Sequence, residues 1–131
     1  MTAVRIEYVI DFYQEMSKWW LSHGWKPLPL ESLPEKVFIL SRDGLDAYCC
    51  TLYQTDSDFA VLAWQISNKE AKREKGDLKK LFLYMEEYAK ATGVKIIFTT
   101  SGTDSVISEL SEAGYQVGDT NINQYIKWVE Q

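Results

Sequence analysis

The sequence predicts an α/β (α+β) fold in which a mixed, mainly antiparallel central sheet is flanked by helices. Three observations support it: an amphipathic helical pattern near the N-terminus, a run of strand-like segments joined by short turns, and a second helical pattern followed by further strand and helix signals. A length of 131 residues is ordinary for one domain. We therefore expect a single domain over residues 1–131.

The first helix is predicted over residues 7–22, with a short strand in the three residues before it. Apolar side chains recur there at helical spacing, and the pattern stops at His23-Gly24. The apolar positions are Phe12, Met16, Trp19 and Trp20. Three prolines then exclude a continuous helix from Trp25 to Pro34, which is predicted to be an ordered loop or a broken second helix.

The hydrophobic pattern next changes to that of strands. Val37–Leu40 and Ala47–Tyr53 flank the turn at Arg42–Gly44, whose Asp-Gly pair is a hairpin signal. A second turn at Gln54–Asp58 leads to a third apolar strand, Phe59–Ile66. These segments predict an antiparallel meander of three strands.

The second half of the chain begins with the clearest helical stripe. The stripe ends at Gly93, a residue suited to the left-handed conformation that closes helices. Its members are Leu78, Leu81, Phe82, Met85 and Ala89. A strand rich in β-branched residues is predicted at Val94–Phe98.

A last helix and two closing strands complete the predicted order. Asp104 is expected to cap the helix, which ends at Gly114 and has Val106, Ile107 and Leu110 as its apolar positions. The closing strands are Tyr115–Val117 and Gln124–Val129, on either side of a turn at Asp119–Asn121.

Composition and charge exclude several classes of function. The net charge of −5 argues against general nucleic-acid binding, because contacts with phosphates supply most of that affinity. No leader-like segment or membrane-length apolar run is present, so we expect a cytoplasmic protein without membrane contact. Cys49 and Cys50 are adjacent in a predicted strand and should face opposite sides, and one histidine leaves too few ligands for a metal site.

The basic segment Lys69–Lys80 interrupts this acidic background. It holds six cationic and three acidic residues, a local charge of +3 that leaves −8 for the remainder. Helix N-termini normally favour acidic residues, so cations crowded before the predicted helix point to an anionic ligand that would remove the conflict. The alternative is a solvated loop in which Glu70, Glu74 and Asp77 balance part of the charge.

This order of elements resembles the GNAT acetyltransferase family over nearly the whole chain. GNAT enzymes carry a loop of the form Arg/Gln-x-x-Gly-x-Gly/Ala before the long helix, and Arg73–Leu78 matches its arginine and first glycine, with Leu78 in place of the last small residue. The resemblance implies acetyl-CoA as co-substrate, held by backbone groups of the strand end and of the loop. The implied residues are Ile66, Ser67, Asn68, Lys72, Arg73, Glu74, Lys75, Gly76, Asp77 and Leu78.

Three residues that are common in GNAT enzymes are missing. The positions that correspond to the family's asparagine and proton-donating tyrosine hold Thr103 and Leu110, and leucine cannot act as a general acid. Another donor, such as a water or a neighbouring tyrosine, would be needed. Trp64 and Gln65 stand where many GNAT enzymes keep a glutamate base.

The aromatic segment Trp19–Trp25 resembles the start of short GNAT-like proteins of phages and their bacterial hosts. The resemblance implies that Trp20, His23 and Trp25 lie near an acceptor amine, with His23 as the candidate base. The structural alternative is that the tryptophans pack in the core and that His23 interacts with the C-terminal helix dipole.

The function expected from these features is acetyl-CoA-dependent N-acyl transfer to an amine of a small molecule or protein, by a monomer or homodimer. Two alternatives stay open: a non-catalytic GNAT-like protein of a phage virion or of host interaction, and a sensor of acyl-CoA. The first alternative would place the protein in a virion or in the cytoplasm of an infected host.

Overall fold

A five-stranded sheet with helices on both faces forms the protein in the computed structural model, which describes residues 1–129. The strands are β1 (Thr2–Tyr8), β2 (Lys36–Arg42), β3 (Leu45–Gln54), β4 (Phe59–Ser67) and β5 (Ile96–Phe98). The helices are α1 (Val9–Ser22), α2 (Asp77–Ala91) and α3 (Asp104–Glu112). The strands lie in chain order, antiparallel from β1 to β4, and β5 is parallel to β4. The predicted α+β class is confirmed.

Helix α1 covers one face of the sheet. Its apolar stripe packs on inward-facing residues of β2, β3 and β4, and Cys49 is among them. The other buried members of this cluster are Val9, Phe12, Met16, Trp19, Trp20, Val37, Ile39 and Ile66. The segment Trp25–Pro34 is an ordered loop containing a single 3₁₀ turn, Leu30–Ser32, and its leucines pack at the border of the same cluster.

Helices α2 and α3 cover the opposite face. Every member of the predicted α2 stripe is buried there, and Cys50 faces this side. The stripe packs against Phe38, Leu40, Leu52 and Leu62 of the sheet. The adjacent cysteines therefore point to opposite faces, as predicted, and both are buried because helices cover both faces.

The predicted hairpin turn is confirmed at Asp43-Gly44. Both residues have positive φ, 53° and 85°, which is the conformation of the two-residue turns that match strand twist. Glycine adopts it without steric cost, and aspartate is one of the few other residues that tolerate it. This turn fixes the register of β2 on β3 near the turn, where Ser41 faces Asp46.

Two predictions for the C-terminal third are wrong. Tyr115–Val117 and Gln124–Val129 form no strands, and Tyr125 is 87% exposed. Strand propensity is realised only when a segment finds a sheet edge, and β5 is just three residues long. Trp128 instead lies over the ammonium group of Lys26, 5.1 Å from the ring centre.

The start of α3 also differs from the prediction. Thr103 takes the N-cap position and Asp104 is the first helical residue, with no side-chain hydrogen bond capping the helix. Asp104 still lies in the first turn, where a carboxylate interacts favourably with the helix dipole. Within residues 1–129, no helix has the length and apolar character needed to cross a bilayer.

Candidate functional site

The outer edge of β4 opens beyond its first three residues. β5 pairs only with Phe59, Ala60 and Val61, whereas β4 continues to Ser67. The hydroxyl of Thr99 donates to the carbonyl oxygen of Leu62 at 2.9 Å, where the chain leaving β5 last contacts this edge. Within the described residues, the edge from position 63 to 67 has no strand partner, so an extended ligand can add there as a further strand.

A β-bulge bends β4 at the same place. Thr51 pairs with Ala63 but Cys49 pairs with Ile66, so β4 carries one extra residue opposite Cys50. Trp64 lies in this bulge with a φ of 58°, a strained value for a residue with a side chain. Bulges of this kind re-aim the strand, and here the strand turns where its edge becomes free.

His23, just after α1, reaches the end of this open edge. Its Nε2 lies 3.0 Å from the carbonyl oxygen of Ser67 and 3.1 Å from the Ser67 hydroxyl. Because a carbonyl oxygen only accepts, Nε2 carries the hydrogen and Nδ1 of the neutral ring is an acceptor. Trp25 stacks on the imidazole, with ring centres 4.8 Å apart and planes inclined by 20°, and is itself 51% exposed.

Strand register sets the direction of the Ser67 backbone groups. The N–H of Asn68 donates to the carbonyl oxygen of Ala47 at 2.8 Å, so these two residues form a hydrogen-bonded pair. The preceding pair, Tyr48 and Ser67, is therefore non-hydrogen-bonded, and its backbone groups point away from each other. The N–H and C=O of Ser67 thus face the open side of β4, which agrees with the position of His23.

A cavity of about 340 Å³ lies between the basic segment and α3. Two cationic side chains, two serine hydroxyls and a tyrosine line it. The lining residues are Tyr48, Arg73, Glu74, Lys75, Leu78, Ser105, Ser108 and Glu109. The guanidinium of Arg73 lies 6.0 Å from the centre of the Tyr48 ring. Within residues 1–129, neither Arg73 nor Lys75 forms an ion pair.

The N-terminus of α2 already holds an anion from the chain itself. Gly76 caps the helix with a φ of 98°, and its N–H donates to Oε1 of Glu109 at 2.7 Å. The N–H of Lys79 donates to the same oxygen at 3.2 Å. The Glu109 carboxylate therefore satisfies two of the donors that a helix N-terminus leaves free.

Asp77, the first residue of α2, is bound to the sheet. Its carboxylate accepts from Nε of Arg42 at 3.0 Å and from the terminal nitrogen at 2.6 Å. Burial raises the pKa of Asp77, but the hydrogen bonds from Arg42 and from the N–H of Glu74 outweigh burial and hold it below its ordinary value. Asp77 therefore anchors the start of α2 and is not free to contact a ligand.

Other residues expected at the site lie elsewhere. Trp20 is buried in the cluster under α1, so the structural alternative holds for it. Leu78 and Ile66 are buried on opposite faces of the sheet. The Asn68 side chain closes the end of β4 by donating to the carbonyl oxygen of Asp46, and Lys72 lies 3.5 Å from Glu74 at the surface.

Leu110 and Tyr115 are the two residues that bear on which side chain could protonate a leaving thiolate. Leu110 is buried in the core, so its position offers no acid. Tyr115 has a buried hydroxyl without a hydrogen-bond partner among the described residues, and burial raises the pKa of this phenol. Burial also raises the pKa of Cys49 and Cys50, which disfavours the thiolate form that a nucleophile needs.

Glu109 and Arg42 organise the start of α2, and the sequence analysis did not identify them. Glu109 follows Val106 by three residues and precedes Leu110, so it lies on the inward stripe of α3. A carboxylate in an apolar stripe is the signal that could have identified it. Arg42 carries no such signal, because it is one of the residues of an ordinary turn sequence.

Comparison with known proteins gives structural matches only. No family model matches the chain, and neither does any curated protein sequence. An aminoglycoside acetyltransferase from an uncultured soil metagenomic sample, solved with sisomicin, matches with a TM-score of 0.73 at 14% identity, over 98% of this chain and 97% of the other.

Two further solved structures are similar. N-acetylglutamate synthase from Neisseria gonorrhoeae, complexed with coenzyme A and N-acetyl-glutamate, has a TM-score of 0.69 at 17% identity, over 91% of this chain and 29% of that one. The ribosomal-protein-S18-alanine N-acetyltransferase from Escherichia coli has a TM-score of 0.69 at 16% identity, over 91% and 80%. At this identity the likeness shows the fold, which is that of the GNAT acetyltransferases.

Proposed function

We propose that the protein is an acyl-CoA-dependent N-acyltransferase that uses acetyl-CoA. The observation that supports this most directly is the open edge of β4 with His23 at its end. An extended ligand arm that carries amide groups can pair with free strand-edge groups as an added strand does. The pantetheine arm of coenzyme A has this chemistry, and its thioester would then lie near Ser67 and His23.

The Ser67 N–H is the proposed donor to the thioester carbonyl. The family resemblance implies that backbone groups of Ile66, Ser67 and Asn68 hold the co-substrate, but the N–H of Asn68 donates to the carbonyl oxygen of Ala47. Register leaves the N–H of Ser67 facing the open side. A donor fixed in a strand needs no reorganisation when negative charge develops on the carbonyl oxygen.

His23 is the proposed base for the acceptor amine. Its Nε2 donates to Ser67, which leaves Nδ1 to receive the proton as the amine attacks the thioester carbon. The C–S bond then breaks and coenzyme A leaves as a thiolate, which takes a proton from water. The exposed face of Trp25 beside His23 suits a small or planar amine. The acidic remainder of the protein favours a cationic acceptor.

Arg73 and Lys75 are the proposed contacts for the phosphate groups. Both line the cavity beside the start of α2, and phosphate oxygens would supply the anionic partners that these side chains lack within the described residues. Lys72, Glu74, Gly76 and Asp77 shape this loop through their own contacts.

The primary experiment is calorimetric titration with acetyl-CoA, followed by measurement of free thiol release over a panel of amines. The enzyme assignment requires binding and amine-dependent release. Arg73→Glu combined with Lys75→Glu should weaken binding more than about tenfold, well beyond an ordinary surface change of about 0.5 kcal/mol. Lys18→Glu combined with Lys95→Glu is the matched control. Equal affinity in both double variants would contradict the phosphate contacts.

A second candidate function is supported by the buried Leu110. A GNAT fold without a proton donor at that position can bind acyl-CoA without turnover, as a sensor, or can lose ligand binding altogether. Binding without thiol release for any amine would establish the sensor. Absence of binding even at millimolar acetyl-CoA would favour a non-catalytic protein of a phage virion or of host interaction.

A further inference from the structure

The carboxylate of Glu109 occupies the start of α2. Glu109 is only 6% exposed, and one of its carboxylate oxygens accepts from two backbone donors, the N–H groups of Gly76 and Lys79. These are the groups that make a helix N-terminus attractive to phosphate. In this chain they are satisfied from within, by a residue of α3.

The neighbouring donor of the loop is also used internally. Oδ2 of Asp77 accepts from the N–H of Glu74 at 2.9 Å, and Asp77 is held in turn by Arg42. The cations Arg73 and Lys75 face the adjacent cavity, and Glu109 lies in the wall of the same cavity. The cavity thus presents two cations that form no ion pair within residues 1–129, but the Glu109 carboxylate holds the backbone donors beside them.

We propose that Glu109 is an internal competitor for the pyrophosphate group of the ligand, and that this group binds only when the Glu109 carboxylate is displaced from Gly76 and Lys79. The proposal rests on acetyl-CoA being the ligand of the site. The Glu109 carboxylate and a pyrophosphate group cannot both accept from the N–H groups of Gly76 and Lys79, because two negative charges so close together repel strongly where water is excluded. Glu109 therefore lowers the affinity of the site for the phosphate end of the ligand and leaves the affinity for its phosphate-free part unchanged.

The decisive comparison is wild type against Glu109→Gln. Glutamine keeps the length and an amide oxygen that can accept from Gly76 and Lys79, but it removes the charge. Glu112→Gln is the matched control, because Glu112 is an exposed acidic residue on the same helix. Calorimetry with inorganic pyrophosphate should show at least about tenfold tighter binding to Glu109→Gln than to wild type or Glu112→Gln, a gain of about 1.4 kcal/mol. Pantetheine, which lacks phosphate, should bind all three alike.

A second variant keeps the test valid if Glu109→Gln does not fold. Glu109→Ser leaves the two backbone donors to water and should show the same gain for pyrophosphate. If every folded Glu109 variant binds pyrophosphate no more tightly than wild type, the proposed competition is wrong.

Acetyl-CoA separates this inference from the proposed function. A gain for pyrophosphate in the Glu109 variants, with no acetyl-CoA binding in any protein, would support the competition and contradict the acyltransferase. Suppose instead that the Glu109 variants bind each ligand, acetyl-CoA and pyrophosphate, with the same affinity as wild type and release thiol. This result would support the acyltransferase and overturn the competition.

Discussion

His23 is held by two different contacts, the hydrogen bond to Ser67 and the stack on Trp25. Neither contact requires a basic ring, since an amide could make the first and any flat apolar surface the second. The structure therefore permits the structural interpretation as well as the catalytic one. What separates them is the acceptor nitrogen, Nδ1, which only catalysis uses.

We predict that His23→Ala and His23→Gln both lower turnover by about 100-fold or more, because each removes the base. The affinity for acetyl-CoA should stay near wild type, since His23 lies at the acceptor end of the thioester. Glutamine is the informative variant because its amide N–H can keep the bond to Ser67. Wild-type turnover in His23→Gln, measured by thiol release, would return this histidine to a structural role.

Tyr115 carries a buried hydroxyl that lacks a partner within the described residues. We predict that Tyr115→Phe raises the free energy of unfolding by about 1 kcal/mol, because it removes an unsatisfied polar group and keeps the ring against Phe82. Chemical denaturation measures the change. Tyr53→Phe is the control: its hydroxyl accepts from Trp64 and donates to Ser32, so its loss should destabilise by a similar amount. Destabilisation by Tyr115→Phe would contradict this account.

The sequence alone identifies residues that are conspicuous by their type and their immediate neighbours in the chain. His23 stands out because it is the chain's one histidine and lies at a helix end, and the structure places it at the open strand edge. Glu109 and Gly76 meet across 33 positions, and no spacing rule connects residues so far apart. Trp20 belongs to the aromatic segment that suggested an acceptor site, but its side chain is buried in the cluster under α1.

At the scale of elements, α2 shows why a helical stripe is a dependable guide. A helix has one inward face, so the period of the apolar residues gives that face directly. Strand signals depend on a partner edge that the segment itself does not contain. This is why the α2 stripe was predicted correctly while Gln124–Val129, with its aromatic and β-branched residues, forms no strand.

We predict that Phe82→Ala lowers the free energy of unfolding by about 3–5 kcal/mol, because Phe82 is 1% exposed and packs between the sheet and Tyr115. Leu83→Ala, the next position on the helix, is the matched control at 39% exposure and should cost less than about 1.5 kcal/mol. Urea denaturation of both variants provides the comparison. Similar losses in the two variants would mean that the inward face of α2 is wrongly assigned.

The whole molecule consists of one sheet with a separate apolar cluster on each face. The two candidate regions lie where layers meet: His23 follows α1 and contacts the end of β4, whereas the basic segment joins β4 to α2. The start of α2 is the junction of three elements, since Arg42 of β2, Asp77 of α2 and Glu109 of α3 meet there. Its charges couple the position of the helices to the sheet.

The pH dependence of stability tests this junction. The folded-state pKa of Asp77 lies below its ordinary value of 3.8, so its carboxylate stabilises the fold fully above pH 3.8, and this contribution is lost as the pH falls through the folded-state pKa. Asp77→Asn should therefore be less stable than wild type at neutral pH, and the difference should shrink in acid. Asp56→Asn, at an exposed turn position, is the control and should stay near wild type. Urea titrations at several pH values measure the difference in the free energy of unfolding between Asp77→Asn and wild type. If this difference does not shrink as the pH falls below 3.8, Arg42 and Asp77 do not hold α2 to the sheet through charge.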